Sequence, residues 1–89
     1  MEELTPKIFN EKYKDYLEDR HYGLDIYETD VITFLDEIFE NVLTKIPGFK
    51  YTQIKLKFGK SRFYSNIGSI EMERLIENKI NDIIHKTHE

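Results

Sequence analysis

Cysteine is absent from the 89 residues, which removes a disulfide framework, thiolate zinc sites and a cysteine nucleophile together. Stability must come from packing alone. No apolar run approaches the ~18 residues of a membrane span. The opening Met1-Glu2-Glu3-Leu4 is acidic where a secretory signal would be basic and then apolar. The expectation is a cytoplasmic protein with no membrane partner. The four glycines stand too far apart to cradle a phosphate. No Ser-His-Asp arrangement can be argued from the sequence either. Histidine is scarce: His21 lies in a polar stretch with no nucleophile at a known spacing, and His85 and His88 sit at the chain end without a carboxylate motif to complete a metal site. These absences lead us to expect no enzyme, no metal and no cofactor.

What is present is enough for a core. A chain of 89 residues forms one domain, residues 1–89, and its six tyrosines and six phenylalanines offset a modest apolar fraction of 39%. There is no linker, repeat or low-complexity segment. Charge is unevenly placed. Residues 41–70 hold no acid and six bases, Lys45, Lys50, Lys55, Lys57, Lys60 and Arg62, while the rest of the chain carries seven bases and all 17 acids. The protein should be electrically two-sided.

Thr5 as N-cap and Pro6 at the first helical position, followed by Phe9, Tyr13, Tyr16 and Leu17, predict a helix from Pro6 to about Glu18. Asp19 to Leu24 loses that period and reads as a loop. Asp25 and Glu28 then suggest a capping box, and Val31, Phe34, Leu35, Ile38, Phe39, Val42, Leu43 and Ile46 keep helical spacing until Pro47-Gly48 stops the chain near Lys45. On this helix Glu28, Asp30, Asp36, Glu37 and Glu40 read as a solvated face. From Phe49 the period becomes two, and two strands with a Gly59-Lys60 turn make an antiparallel hairpin. Gly68-Ser69 then starts a last helix carrying Met72, Leu75, Ile76, Ile80, Ile83 and Ile84. The predicted fold is α+β, in the order α-α-β-β-α, with the hairpin packed on the helices.

Counting outward from a Gly59-Lys60 turn sets Lys57 opposite Arg62, Lys55 opposite Tyr64 and Gln53 opposite Asn66, with Tyr51 at the far end, all on the solvent face. Lys60 belongs to the turn itself, while Phe58 and Phe63 should pack. The candidate binding residues are therefore Tyr51, Gln53, Lys55, Lys57, Lys60, Arg62, Tyr64 and Asn66. Bases interleaved with exposed tyrosines can hold single-stranded nucleic acid by phosphate contact and base stacking. Lysines on a hairpin also block edge-to-edge aggregation, and open hairpin edges could pair across a homodimer.

The segment Gln53-Ile54-Lys55-Leu56-Lys57-Phe58-Gly59-Lys60-Ser61-Arg62-Phe63-Tyr64 resembles a family of small uncharacterised bacterial and phage proteins whose pattern runs K, often E, K, F, G, a turn residue, often L, then R, F, Y. Leu56 stands where the pattern commonly has an acid, and Ser61 where it commonly has leucine. The resemblance covers about the C-terminal half and implies the hairpin and closing helix, with a mobile-element flavour, rather than a reaction. The resulting expectation is a small non-enzymatic binding or regulatory protein of phage type that occupies a partner protein, such as host nucleic-acid-handling or defence machinery. Direct binding of single-stranded nucleic acid and a homodimeric structural module are the alternatives.

Overall fold

The computed structural model describes residues 4–87; the expectations resting on Met1 to Glu3 and on His88 lie outside them. The first helix, α1 (Pro6–Lys12), begins as its sequence dictates: Thr5 is extended and its Oγ1 accepts the Ile8 N–H at 3.2 Å, with proline in the first turn. It is shorter than its periodicity predicted. A single 3₁₀ turn, Lys14–Tyr16, tightens its end, after which the chain is drawn to the sheet: Leu17 bridges Tyr51 and the Glu18 N–H donates to the Tyr51 carbonyl at 2.9 Å.

The stretch read as a loop contains a strand, β1 (Gly23–Asp25), and Asp25 belongs to it rather than to a capping box. The second helix, α2 (Thr29–Asn41), starts three residues later than expected, with Glu28 and not Asp25 at its N-cap position, and a 3₁₀ turn at Leu43–Lys45 replaces its last turn. Side chains compete for the carbonyls there, Asn41 Nδ2 donating to Glu37 and Thr44 Oγ1 to Phe39. β2 (Tyr51–Lys57) runs parallel to β1, and α2 supplies the crossover that parallel strands require. β3 (Lys60–Ser65) returns antiparallel to β2, and α3 (Ile70–Thr87) closes the chain, the Ser69 hydroxyl accepting the Met72 N–H at 3.2 Å. The fold is α+β, as expected, but its sheet is mixed, three-stranded and ordered β1-β2-β3, so the order α-α-β-β-α lacks one strand.

One face of the sheet, Leu24, Ile54 and Phe63, packs against α1 and α2 around Phe39, whose ring lies about 5 Å from those of Phe9, Tyr13 and Tyr51. Ile76 and Ile80 of α3 close that core. Lys12 of α1 reaches Asp36 of α2 at 2.8 Å, which raises its pKa, and the Tyr13 hydroxyl donates to the same carboxylate at 2.6 Å. Burial, then that hydrogen bond, pushes the Tyr13 phenol well above its ordinary range.

Both edges of the sheet are capped by side chains. Asn10 of α1 clips β1, its Oδ1 accepting the Leu24 N–H at 2.9 Å and its Nδ2 donating to the Leu24 carbonyl at 3.1 Å. Along β3, the Ser61 N–H donates to Asn81 Oδ1 at 2.9 Å and the Phe63 N–H to Glu77 Oε2 at 2.8 Å, both acceptors belonging to α3. The open hairpin edges expected from sequence are thus occupied, one by β1 and the other by α3. Strand addition there would have to displace those groups.

The hairpin turn is Phe58-Gly59, not Gly59-Lys60: Lys57 pairs with Lys60, and both central residues have positive φ, 53° for Phe58 and 77° for Gly59. This is the geometry that favours Asn-Gly, and a bulky residue at its first position is strained. The expected packing of Phe58 does not occur, since the turn projects its ring into solvent at 94% exposure. Phe58→Asn is therefore expected to stabilise the fold by about 1 kcal/mol, read as a rise in thermal midpoint; an unchanged or lower midpoint would show that the ring supports the hairpin.

Candidate functional site: the solvent face of the sheet

Moving the turn back by one residue shifts the pairing by two, and a shift of two keeps every side chain on its own face. Lys55, Lys57, Arg62 and Tyr64 therefore stay outward, as expected, but with new neighbours. Lys57 lies opposite Lys60, Lys55 opposite Arg62 and Gln53 opposite Tyr64, while Ile54 opposes Phe63 on the core side. Lys60 is a strand residue of this face rather than a turn residue. Two pairs of like charge are directly opposed, and each costs a few tenths of a kcal/mol when solvated.

Two sequence candidates leave the face. Tyr51 is fully buried: a bulge between Tyr51 and Gln53 inserts one extra residue into β2 and turns the ring into the core, where its hydroxyl donates to Asn10 Oδ1 at 2.9 Å. Burial raises its pKa well above the ordinary phenol range. Asn66 is a tie for the preceding turn. Its Oδ1 accepts the Lys50 N–H at 2.7 Å, its Nδ2 donates to the Gly48 carbonyl at 2.8 Å, and its own N–H donates to the Lys50 carbonyl at 3.0 Å.

The structure adds groups the sequence could not place. β1 brings Asp25 beside Lys55 on the outer face. The excursion between Leu17 and β1, held by a turn in which Asp19 Oδ1 accepts the His21 N–H, carries Tyr22 to the margin of the sheet. There Tyr22, Thr52, Gln53, Lys55, Tyr64, Ser65 and Glu73 of α3 line a shallow groove of about 580 Å³. Glu73 is the acid in this groove, and burial, then repulsion by Glu77, raises its pKa. None of Lys55, Lys57, Lys60 and Arg62 makes an ion pair among the described residues. Lys57 instead sets its ammonium 5.9 Å from the centre of the Phe58 ring at the hairpin tip.

The face thus presents four cations outside any ion pair, in two cross-strand rows with Asp25 beside Lys55, and with Gln53, Tyr64 and Tyr22 at one end and an exposed phenylalanine at the other. Such a surface can attract negative charge and offer rings for flat or apolar groups. Among the described residues no cluster of three or more histidine, aspartate or glutamate side chains is arranged to hold a metal ion, and no helix is long and apolar enough to cross a membrane. The chain matches no protein-family model, no curated protein and no solved structure.

Proposed function

We propose that this protein is a non-enzymatic binding module whose sheet face, Gln53, Lys55, Lys57, Lys60, Arg62 and Tyr64, holds a single-stranded nucleic acid. The observation that carries this reading is the coincidence, on one sheet face, of four cations that make no ion pair and aromatic rings beside a groove. Cations two residues apart on a strand are separated by about 6.7 Å, and they would follow a phosphate backbone while bases stack on Tyr64 and Tyr22. The acidic remainder of the surface repels the same ligand and so favours one docking orientation. The test is fluorescence anisotropy with labelled single-stranded and duplex DNA and RNA at low and physiological salt. Micromolar binding to single strands that weakens steeply with salt supports the proposal; no binding at low salt overturns it.

Glu73 gives that experiment a second arm. Its carboxylate faces the phosphate path, so Glu73→Gln is expected to tighten binding about threefold at neutral pH. Because its pKa is raised, lowering the pH from neutrality toward the ordinary glutamate range protonates it first, and affinity should rise as that charge disappears. The same shift makes the ionised form a small cost to the fold, relieved as pH falls through the raised value. Glu73→Gln should remove this part of the pH dependence; a variant with an unchanged profile would place the ligand elsewhere.

A second reading rests on Phe58. An exposed aromatic at a strained turn, flanked by Lys57 and Lys60, also suits insertion into an apolar pocket rimmed by acids on a partner protein. Such a partner would be occupied by the same hairpin, in keeping with the phage-type resemblance of residues 53–64. Failure to bind any oligonucleotide would favour this reading.

A further inference from the structure

A second unpartnered surface lies between α2 and α3. Phe34 and Ile38 of α2, Val42 just past its end, and Met72, Leu75, Ile76 and Lys79 of α3 line a cleft of about 300 Å³ whose surface is almost wholly apolar. Each helix spends its principal apolar stripe on the core, Leu35 and Phe39 from α2 and Ile76 and Ile80 from α3. The cleft is what remains beside those stripes. Leu75 stands on its flank at 69% exposure. A single exposed leucine is ordinary, whereas a continuous apolar cleft with a protruding leucine beside it is a docking surface.

We infer that the occupant is a second copy of this chain, in a two-fold dimer that seats each Leu75 in the α2/α3 cleft of the other protomer. The protein carries projection and cleft side by side, which is the self-complementarity an isologous contact requires. Charge supplies the second argument. A two-fold axis near Leu75 runs the two α3 helices antiparallel, so Glu71, four residues before Leu75, faces Lys79 of the partner subunit, four residues after it. The pair is made twice. Residues 71, 75 and 79 share one helix stripe; Glu71 and Lys79 are both exposed, and neither makes an ion pair among the described residues. A parallel arrangement would instead oppose Glu71 to Glu71. The contact also leaves the capped sheet edges and the basic face untouched, so it stands independently of the function proposed above.

Sedimentation equilibrium of the full chain from about 5 to about 500 µM tests it by mass action. The expected result is a weight-average mass rising from that of one chain toward twice that value. Leu75→Glu should hold the mass at one chain while melting like the wild type at concentrations where both are monomers, because Leu75 is exposed in the single chain. Glu71→Lys and Lys79→Glu should each weaken association at least about tenfold by opposing like charges, and mixing the two variants in equal amounts should restore a dimer in which both pairs are complementary. A single-chain mass for the wild type throughout overturns the inference and leaves the cleft to a helix of another protein. Dimers that ignore Leu75→Glu, or variants whose mixture stays monomeric, overturn it equally.

Discussion

The double variant Lys57→Glu/Arg62→Glu is expected to lose single-stranded nucleic-acid binding by at least about a hundredfold while folding more stably than the wild type. The opposite signs follow from the strand register. Lys57 faces Lys60 and Lys55 faces Arg62, so one substitution in each row converts a repulsive cross-strand pair into an attractive one, worth about 0.2–1 kcal/mol per row. The same two changes take the four cations of the face to no net charge. Single strands lose affinity with a log–log salt slope of about −0.7 per neutralised phosphate, so the wild type should approach −3 and the variant about zero. Anisotropy titrations over a salt series, beside thermal melts, read both effects. Loss of binding together with a raised midpoint cannot be attributed to unfolding. Retained affinity in the double variant would remove the sheet face from consideration, and a lowered midpoint would mean that the four cations are held apart by something other than solvent.

That Lys57 and Arg62, expected opposite one another, lie in two different rows of the same face shows what the sequence could and could not specify. Alternation with period two assigned Lys55, Lys57, Arg62 and Tyr64 to the solvent face, and a two-residue slip in register cannot undo such an assignment. The turn itself was misplaced because Gly59 is acceptable at either central position; the deciding fact is a phenylalanine in left-handed conformation, which propensity alone disfavours. Tyr51 escapes the alternation for a similar reason: a period counted back from Gln53 cannot see a bulge that reverses the next ring. α3 and the start of α1 were legible because caps and periodicity agreed. β1 was not, since a strand of three residues has no period to detect, and its pairing with β2 depends on contacts distant in sequence. With β1 hidden, Asp25 could only be read as a helix cap, and neither it nor Glu73 could be placed beside Lys55. The acid-free stretch 41–70 correctly marked where positive charge gathers, but the acids at its margin arrive from outside that stretch.

Asn10 is where the fold depends most on one polar side chain, and Asn10→Ala is expected to cost about 3 kcal/mol. Its Oδ1 accepts from both the Leu24 N–H and the Tyr51 hydroxyl, and its Nδ2 donates to the Leu24 carbonyl. The amide therefore holds β1 to α1 and satisfies the phenol of a tyrosine with no exposed surface. Alanine leaves that hydroxyl buried without an acceptor, about 1–3 kcal/mol by itself, and removes two further hydrogen bonds of about 0.5–1.5 kcal/mol each. The amide lies close against β1, since a Cβ at Gly23 would lie 2.8 Å from Asn10 Oδ1. For a domain of this size the thermal midpoint should fall by about 10–20 °C. Asn10→Asp keeps both acceptor contacts but sets a carboxylate oxygen against the Leu24 carbonyl, so its cost should be intermediate. A double-mutant cycle with Tyr51→Phe isolates the buried link: Tyr51→Phe should destabilise the wild type by about 1 kcal/mol but stabilise the Asn10→Ala protein by about 1–3 kcal/mol, since the orphaned hydroxyl is then removed. Additive effects in that cycle, or an Asn10→Ala cost below about 0.5 kcal/mol, would mean that β1 is held by its pairing with β2 alone.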